Sequence, residues 1–192
     1  MHQMHIDASE FTYLYINVSY NDWQEFKSSG KAFEGDELNR EDIIKWYSDQ
    51  VSKRLDGVNV SFRHYCFVEK PPIINYFSPM KRVVLKIRIP SSLVVLFDDN
   101  FYVLVLNSLY NRSHMYLAFN EREDAEKADC TIEECHASYE RMFDLDSDKR
   151  CKNWAGDIQL RAFIPYLTRS MIRKVWVYHW DRRLRKKRKT GK

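Results

Sequence analysis

The stretch VVLKIRIPSSLVVLFDDNFYVLVLN, residues 83 to 107, separates the fold classes open to this chain. Its first third alternates Val83, Leu85, Ile87 and Ile89 with Val84, Lys86 and Arg88 and stops at Pro90, as a half-exposed strand does. Its last third, continued as NFYVLVLNSLY, reads as an apolar helix. Between them stand Asp98 and Asp99. An Asp at a helix start accepts backbone N–H groups and meets the positive end of the dipole. Two carboxylates converging on one cleft would instead do acid–base work. Adjacent side chains diverge, so capping is the simpler reading. Asn107, further along the helix, suits either a C-cap or a polar group facing a pocket.

Upstream, FTYLYINVS (11–19) is rich in β-branched and aromatic residues and reads as a strand. NDWQEFKSSG follows as a short helix with Asn21 and Asp22 as cap residues and Gly30 as its stop. Asn39 then caps a second helix, on which Ile44, Tyr47, Val51 and Leu55 recur at near-helical spacing and which Gly57 closes. VNVSFRHYCFVE (58–69) reads as a strand, with Val58, Val60, Phe62 and His64 facing one way and Tyr65, Phe67 and Glu69 the other. The proline-bearing KPPIINYFSPMK is a surface loop.

Downstream, Asn120 with Glu123 and Thr131 with Glu134 form two capping boxes, each opening a helix. DIQLRAFIP and IRKVWVYHW are two further strands, joined by YLTRSM, where Thr168 caps a single turn. The order β-α-α-β-β-α-α-α-β-β predicts an α+β fold: one domain over residues 1–181 with a mixed or mostly antiparallel sheet of about six strands and flanking helices. A basic tail, 182–192, completes the chain.

With 192 residues, 44% of them hydrophobic and 15% aromatic, the chain can bury a substantial core. No apolar run approaches the roughly 20 residues of a membrane span, and the first residues lack the pattern of a signal peptide. Four scattered cysteines fit a reduced cytoplasmic setting better than a disulfide framework. The formal charge of +4 is unevenly spread, because residues 182 to 192 carry eight Lys or Arg and no acid, which leaves the rest at −4. Residues 121 to 148 hold eleven acids against three Lys or Arg.

Several phrases resemble a family of small bacterial and phage proteins known as a domain of unknown function. They are Leu14 and Tyr15 leading to Trp23, WYSDQVSKR (46–54) against the family's W-M-x-x-Q-M-x-K-R, and VVLKIRIP followed by LFDDNFYVLVLN. SYERMFDLD (138–146) is similar to S-W-E-R-I-F-D-L-D, and Ile158 and Gln159 precede a closing RKVWVY. Where the family shows L-L-S-D-F-x-x-W-H-x-V-L-N, this chain keeps Asp98, Leu106 and Asn107 but has Phe97 for Ser, Tyr102 for Trp and Val103 for His. Near the end, the family's F-W-E becomes Phe163, Ile164 and Pro165. The layout also resembles, more remotely, the mono-ADP-ribosyltransferase-like fold. That resemblance implies NAD as cofactor, Tyr15 lining a nicotinamide pocket, Gln159 in the region of the usual catalytic Glu, and a candidate pocket of Tyr15, Trp46, Gln50, Asp98, Asn107 and Gln159. A Gln cannot ionise, so it would orient a ribose hydroxyl rather than stabilise an oxocarbenium-like charge.

Other constellations carry less. Trp46 and Gln50 share a helix face, as either site residues or a core aromatic beside a surface amide. Cys130, Cys135, His136 and Cys151 lack a C-x2-C knuckle, and Cys66 with His64 lacks a third orienting group, so neither a zinc site nor a cysteine nucleophile is expected. The acidic 121–148 segment reads as solvated helix faces or as a phosphate-mimicking surface. The tail joins Trp176, Tyr178, His179 and Trp180 to Arg182, Arg183, Arg185, Lys186, Lys187, Arg188 and Lys189. Cations there neutralise phosphates and aromatics stack on unpaired bases. These features predict a protein that binds nucleic acid or a nucleoprotein complex without a cofactor, a phage or mobile-element anti-defence factor. An ADP-ribosyltransferase-like enzyme is the alternative.

Overall fold

The computed structural model describes residues 10–30, 41–56, 58, 60, 64–71, 81–111, 131–145 and 158–178. In chain order these form β1 (Phe11–Ser19), α1 (Tyr20–Ser29), α2 (Glu41–Arg54), β2 (His64–Phe67), β3 (Arg82–Pro90), β4 (Val95–Asp98), α3 (Asp99–Asn111), α4 (Ile132–Tyr139), β5 (Leu160–Ile164) and β6 (Ile172–Tyr178). The fold is α+β, as its sequence order implies. Its six strands make one sheet in the order β4-β5-β2-β1-β3-β6. β1 pairs antiparallel with β2 and β3, β3 with β6, and β4 with β5. No helix among the described residues is long and apolar enough to cross a membrane.

Contacts divide the chain into two compact units, with the boundary inside β2. The first unit, Met1–Glu34, Cys66–Ser91 and Leu167–Lys192, contains β1, α1, β3 and β6. Here β1 and β3 lie in register over nine pairs, from Phe11 opposite Pro90 to Ser19 opposite Arg82. Alternation buries Leu14, Ile16 and Val18 on β1 and Val83, Leu85, Ile87 and Ile89 on β3. α1 packs on these two strands and brings the buried Phe26.

The helix starts differently from the sequence expectation. Its N-cap is Ser19, whose hydroxyl accepts the Asp22 N–H at 3.0 Å while the Asp22 carboxylate accepts the Ser19 N–H at 3.3 Å. This capping box lets β1 run straight into α1, so Asn21 and Asp22 lie inside the helix. Gly30 closes it with φ 72°, its N–H donating to the Phe26 carbonyl at 2.9 Å. Arg169, from the 3-10 turn Arg169–Met171, donates to the carbonyls of Phe26 and Lys27. It thereby satisfies acceptors at the negative end of the helix. Thr168 precedes that turn as expected, but its hydroxyl pairs with Ser170 rather than capping.

The second unit, Gly35–Tyr65 and Ser92–Tyr166, holds a core of Ile43, Tyr47 and Val51 from α2, Leu55 just beyond it, Phe97 from β4, Phe101 and Val105 from α3, Cys135 and Tyr139 from α4, and Phe163 from β5. The buried stripe of α2 begins at Ile43 rather than Ile44, and the adjoining Ser48 and Gln50 are buried as well. The expected surface amide is therefore inside. Phe97 and Phe163 stack with centroids 4.0 Å apart and planes 16° from parallel. Phe97 is thus a central core contact.

α4 begins at the expected Thr131 box, with Glu134 N–H to Thr131 at 3.2 Å and Thr131 N–H to Glu134 at 2.8 Å. β4 is a strand the periodicity did not reveal, because four residues are too few to show a period. Among the described residues of the predicted strand 58–69, His64–Phe67 form β2. The expected caps Asn39 and Asn120, Gly57, Cys130, Cys151 and most of the 121–148 segment lie outside the described residues.

Candidate nucleic-acid interface

The two acids between β4 and α3 divide the work. Asp98 is 1% exposed and ends β4. Its Oδ1 accepts the N–H of Asn100 at 3.2 Å and of Gln159 at 3.1 Å, while the Asp99 N–H donates to the Gln159 carbonyl at 2.8 Å. Asp98 thus acts as the helix cap and ties it to the approach of β5. Asp99, the first residue of α3, accepts the Tyr65 hydroxyl at 2.6 Å and lies 3.5 Å from the Arg161 guanidinium. Arg161 also donates to the Tyr65 oxygen at 3.0 Å and to the Leu160 carbonyl at 2.9 Å. Burial and the Asp99 hydrogen bond hold the Tyr65 phenol above its ordinary range, against the opposing pull of Arg161. It remains a protonated donor, and two hydrogen bonds and an ion pair link the three groups.

The other expected pocket residues are accounted for individually. Gln159 is exposed and precedes β5 rather than lying in it. Asn107 is exposed in mid-helix, since α3 continues to Asn111, so it is no C-cap. Trp46 packs edge-on against Tyr47 and Tyr139, with centroids 4.9 and 5.9 Å away. Gln50 accepts from Arg54 at 2.9 Å, and Arg54 lies over the Phe143 ring at 3.8 Å and 3.6 Å from Glu140. Of this set, only Asp98 and Gln159 are joined by a hydrogen bond among the described residues. His64 and Cys66 share a buried face of β2, where burial lowers the imidazole pKa to about 4 and pushes the thiol up. A thiolate–imidazolium pair is disfavoured on both counts. No cluster of three metal-binding side chains occurs among the described residues.

Tyr15 leads elsewhere, to the sheet of the first unit. With Leu14, Ile16 and Val18 buried, the alternate residues Phe11, Tyr13 and Tyr15 take the opposite face of β1. Register places Arg88 opposite Tyr13 and Lys86 opposite Tyr15, then Lys174 opposite Lys86 and Trp176 opposite Val84. The Tyr15 and Trp176 rings approach to 6.2 Å although β3 runs between their strands, so they lean across it. The cations sit on rings: Arg88 over Phe11 at 3.8 Å, Lys86 over Tyr13 at 4.4 Å, and Lys70 and Lys174 over Trp176 at 4.4 and 5.0 Å. Among the described residues, none of these four cations has a carboxylate partner. Tyr13 is 49% exposed.

No family model, curated protein or solved structure matches the chain.

The face is therefore read from its geometry. It interleaves aromatic planes with cations over three antiparallel strands, which is the surface chemistry that unpaired bases and phosphates require. Trp176 and Tyr178, grouped with the tail for nucleic-acid binding, lie in β6, within the expected strand IRKVWVYHW. The tail cations Arg182 to Lys189 lie outside the described residues. Tyr13, Lys70, Lys86, Arg88 and Lys174 were missed. The signal was present in F-x-Y-x-Y, K-x-R and K-x-W, each with a period of two, but their joint face depends on register.

Proposed function

We propose that the protein binds single-stranded nucleic acid on the sheet face of its first unit that carries Tyr13, Tyr15 and Trp176. The observation that carries this reading is the aromatic set Tyr13, Tyr15 and Trp176 interleaved with Lys70, Lys86, Arg88 and Lys174, cations with no carboxylate partner among the described residues. Aromatic planes accept any base, and ammonium and guanidinium groups neutralise phosphates with release of counterions. Unpaired strands are favoured over duplex because stacking requires a free base face. The basic tail adds affinity without sequence discrimination.

Fluorescence anisotropy of a labelled oligothymidylate across a salt series tests this. Tyr13→Ala and Trp176→Ala each weaken binding by roughly 5- to 100-fold, the loss of one stacked base. Lys86→Ala and Arg88→Ala each reduce the slope of log affinity against log salt by about 0.7, one phosphate contact. Deleting residues 182–192 lowers overall affinity but leaves the dependence on Trp176. Unchanged affinity in both aromatic variants would refute the reading.

A further inference from the structure

Lys86 and Lys174 stand directly opposite each other on β3 and β6, and like charges so placed repel. Their ammonium groups are drawn to different rings, Lys86 to Tyr13 on β1 and Lys174 to Trp176 on its own strand. We propose that this lysine pair seats an internal phosphodiester of a single strand, and that the flanking bases replace the lysines on Tyr13 and Trp176. The inference rests on the sheet-face reading and adds to it a path and a minimum length.

The path follows from the register. Tyr13 and Trp176 are separated by two strand spacings and four residues of rise, about 16 Å between Cα atoms. Stacked bases advance only ~3.4 Å along a strand, so a stacked dinucleotide cannot serve both rings. An extended run of about three nucleotides with splayed bases does so, crossing the sheet from β1 to β6. The lysines make the two kinds of contact interdependent. A phosphate draws each ammonium off its ring, and the freed ring face becomes the platform for a base. A mononucleotide engages one half of this exchange, and a phosphate chain without bases leaves the rings unoccupied.

Titration of the full chain with thymidine monophosphate, trithymidylate and an abasic trimer of equal charge tests the exchange. The trinucleotide should bind at least about tenfold more tightly than either of the others. Trp176→Ala should remove that advantage. Lys86→Met and Lys174→Met should remove it too, and Lys86→Arg should restore most of it, with circular dichroism confirming the fold of each variant. Equal binding of the abasic trimer would overturn the exchange while leaving nucleic-acid binding intact, and equal binding of the monophosphate would replace the proposed path with a mononucleotide site. If longer strands bind with no dependence on Trp176, the sheet-face reading itself fails.

Discussion

Acidification from pH 6.5 to pH 4 probes the interior of the second unit through His64. The imidazole is 5% exposed, and burial depresses its pKa from 6.5 to about 4, because protonation would create a cation away from water. The unfolded chain retains a value of about 6.5. Across this window the unfolded chain takes up a proton that the folded chain refuses, so stability falls as pH falls. The contribution is complete above pH 6.5 and is lost progressively down through about pH 4. At about 1.4 kcal/mol per tenfold, that gap sets a ceiling of about 3 kcal/mol. For a chain of this length the ceiling corresponds to roughly 6–12 °C in melting midpoint. Urea unfolding at half-unit pH steps, with the parent beside His64→Leu, measures it. Carboxylates titrate alike in both proteins, so the difference between the two curves isolates His64. The variant should lose stability on acidification less steeply. Parallel curves between pH 6.5 and pH 4 would show that the imidazole protonates in place, and the burial argument would be wrong.

A double-mutant cycle with Tyr65→Phe and Asp99→Ala should give a coupling of about 1–2 kcal/mol in urea unfolding, since the 2.6 Å hydrogen bond is charge-assisted and Asp99 is 18% exposed. A coupling below ~0.3 kcal/mol would mean that solvent screens the pair. Arg169→Ala removes the donors to the Phe26 and Lys27 carbonyls at the end of α1. The expected loss is about 1 kcal/mol, a fall of roughly 2–4 °C in thermal melting, and an unshifted midpoint would show that water replaces the guanidinium.

Local chemistry wrote much of the fold into the sequence. The β1 and β3 strands have the same ends as their period-two patterns suggest, and the Thr131–Glu134 box opens α4. In each case the deciding interaction lies within a few residues of chain. Gln50 and Asn107 show the opposite. Nothing adjacent to Gln50 indicates that the core will enclose it, and although the helix NFYVLVLNSLY runs past Asn107, nothing beside Asn107 indicates that its side chain will face solvent.

Asp98 and Asp99 mark the boundary between the two kinds of information. That one of them would cap α3 follows from their position before an apolar helix. That Asp98 is the cap, while Asp99 binds Tyr65 and Arg161, depends on partners 34 and 62 residues away in sequence. The sheet face has the same character. By itself the sequence determined that Phe11, Tyr13 and Tyr15 alternate with buried residues, because strand geometry sends successive side chains to opposite faces. Only the tertiary structure decided that Lys86 and Arg88, then Lys174 and Trp176, would join them, because strand register is a long-range choice and a slip of one residue would send each row to the other face.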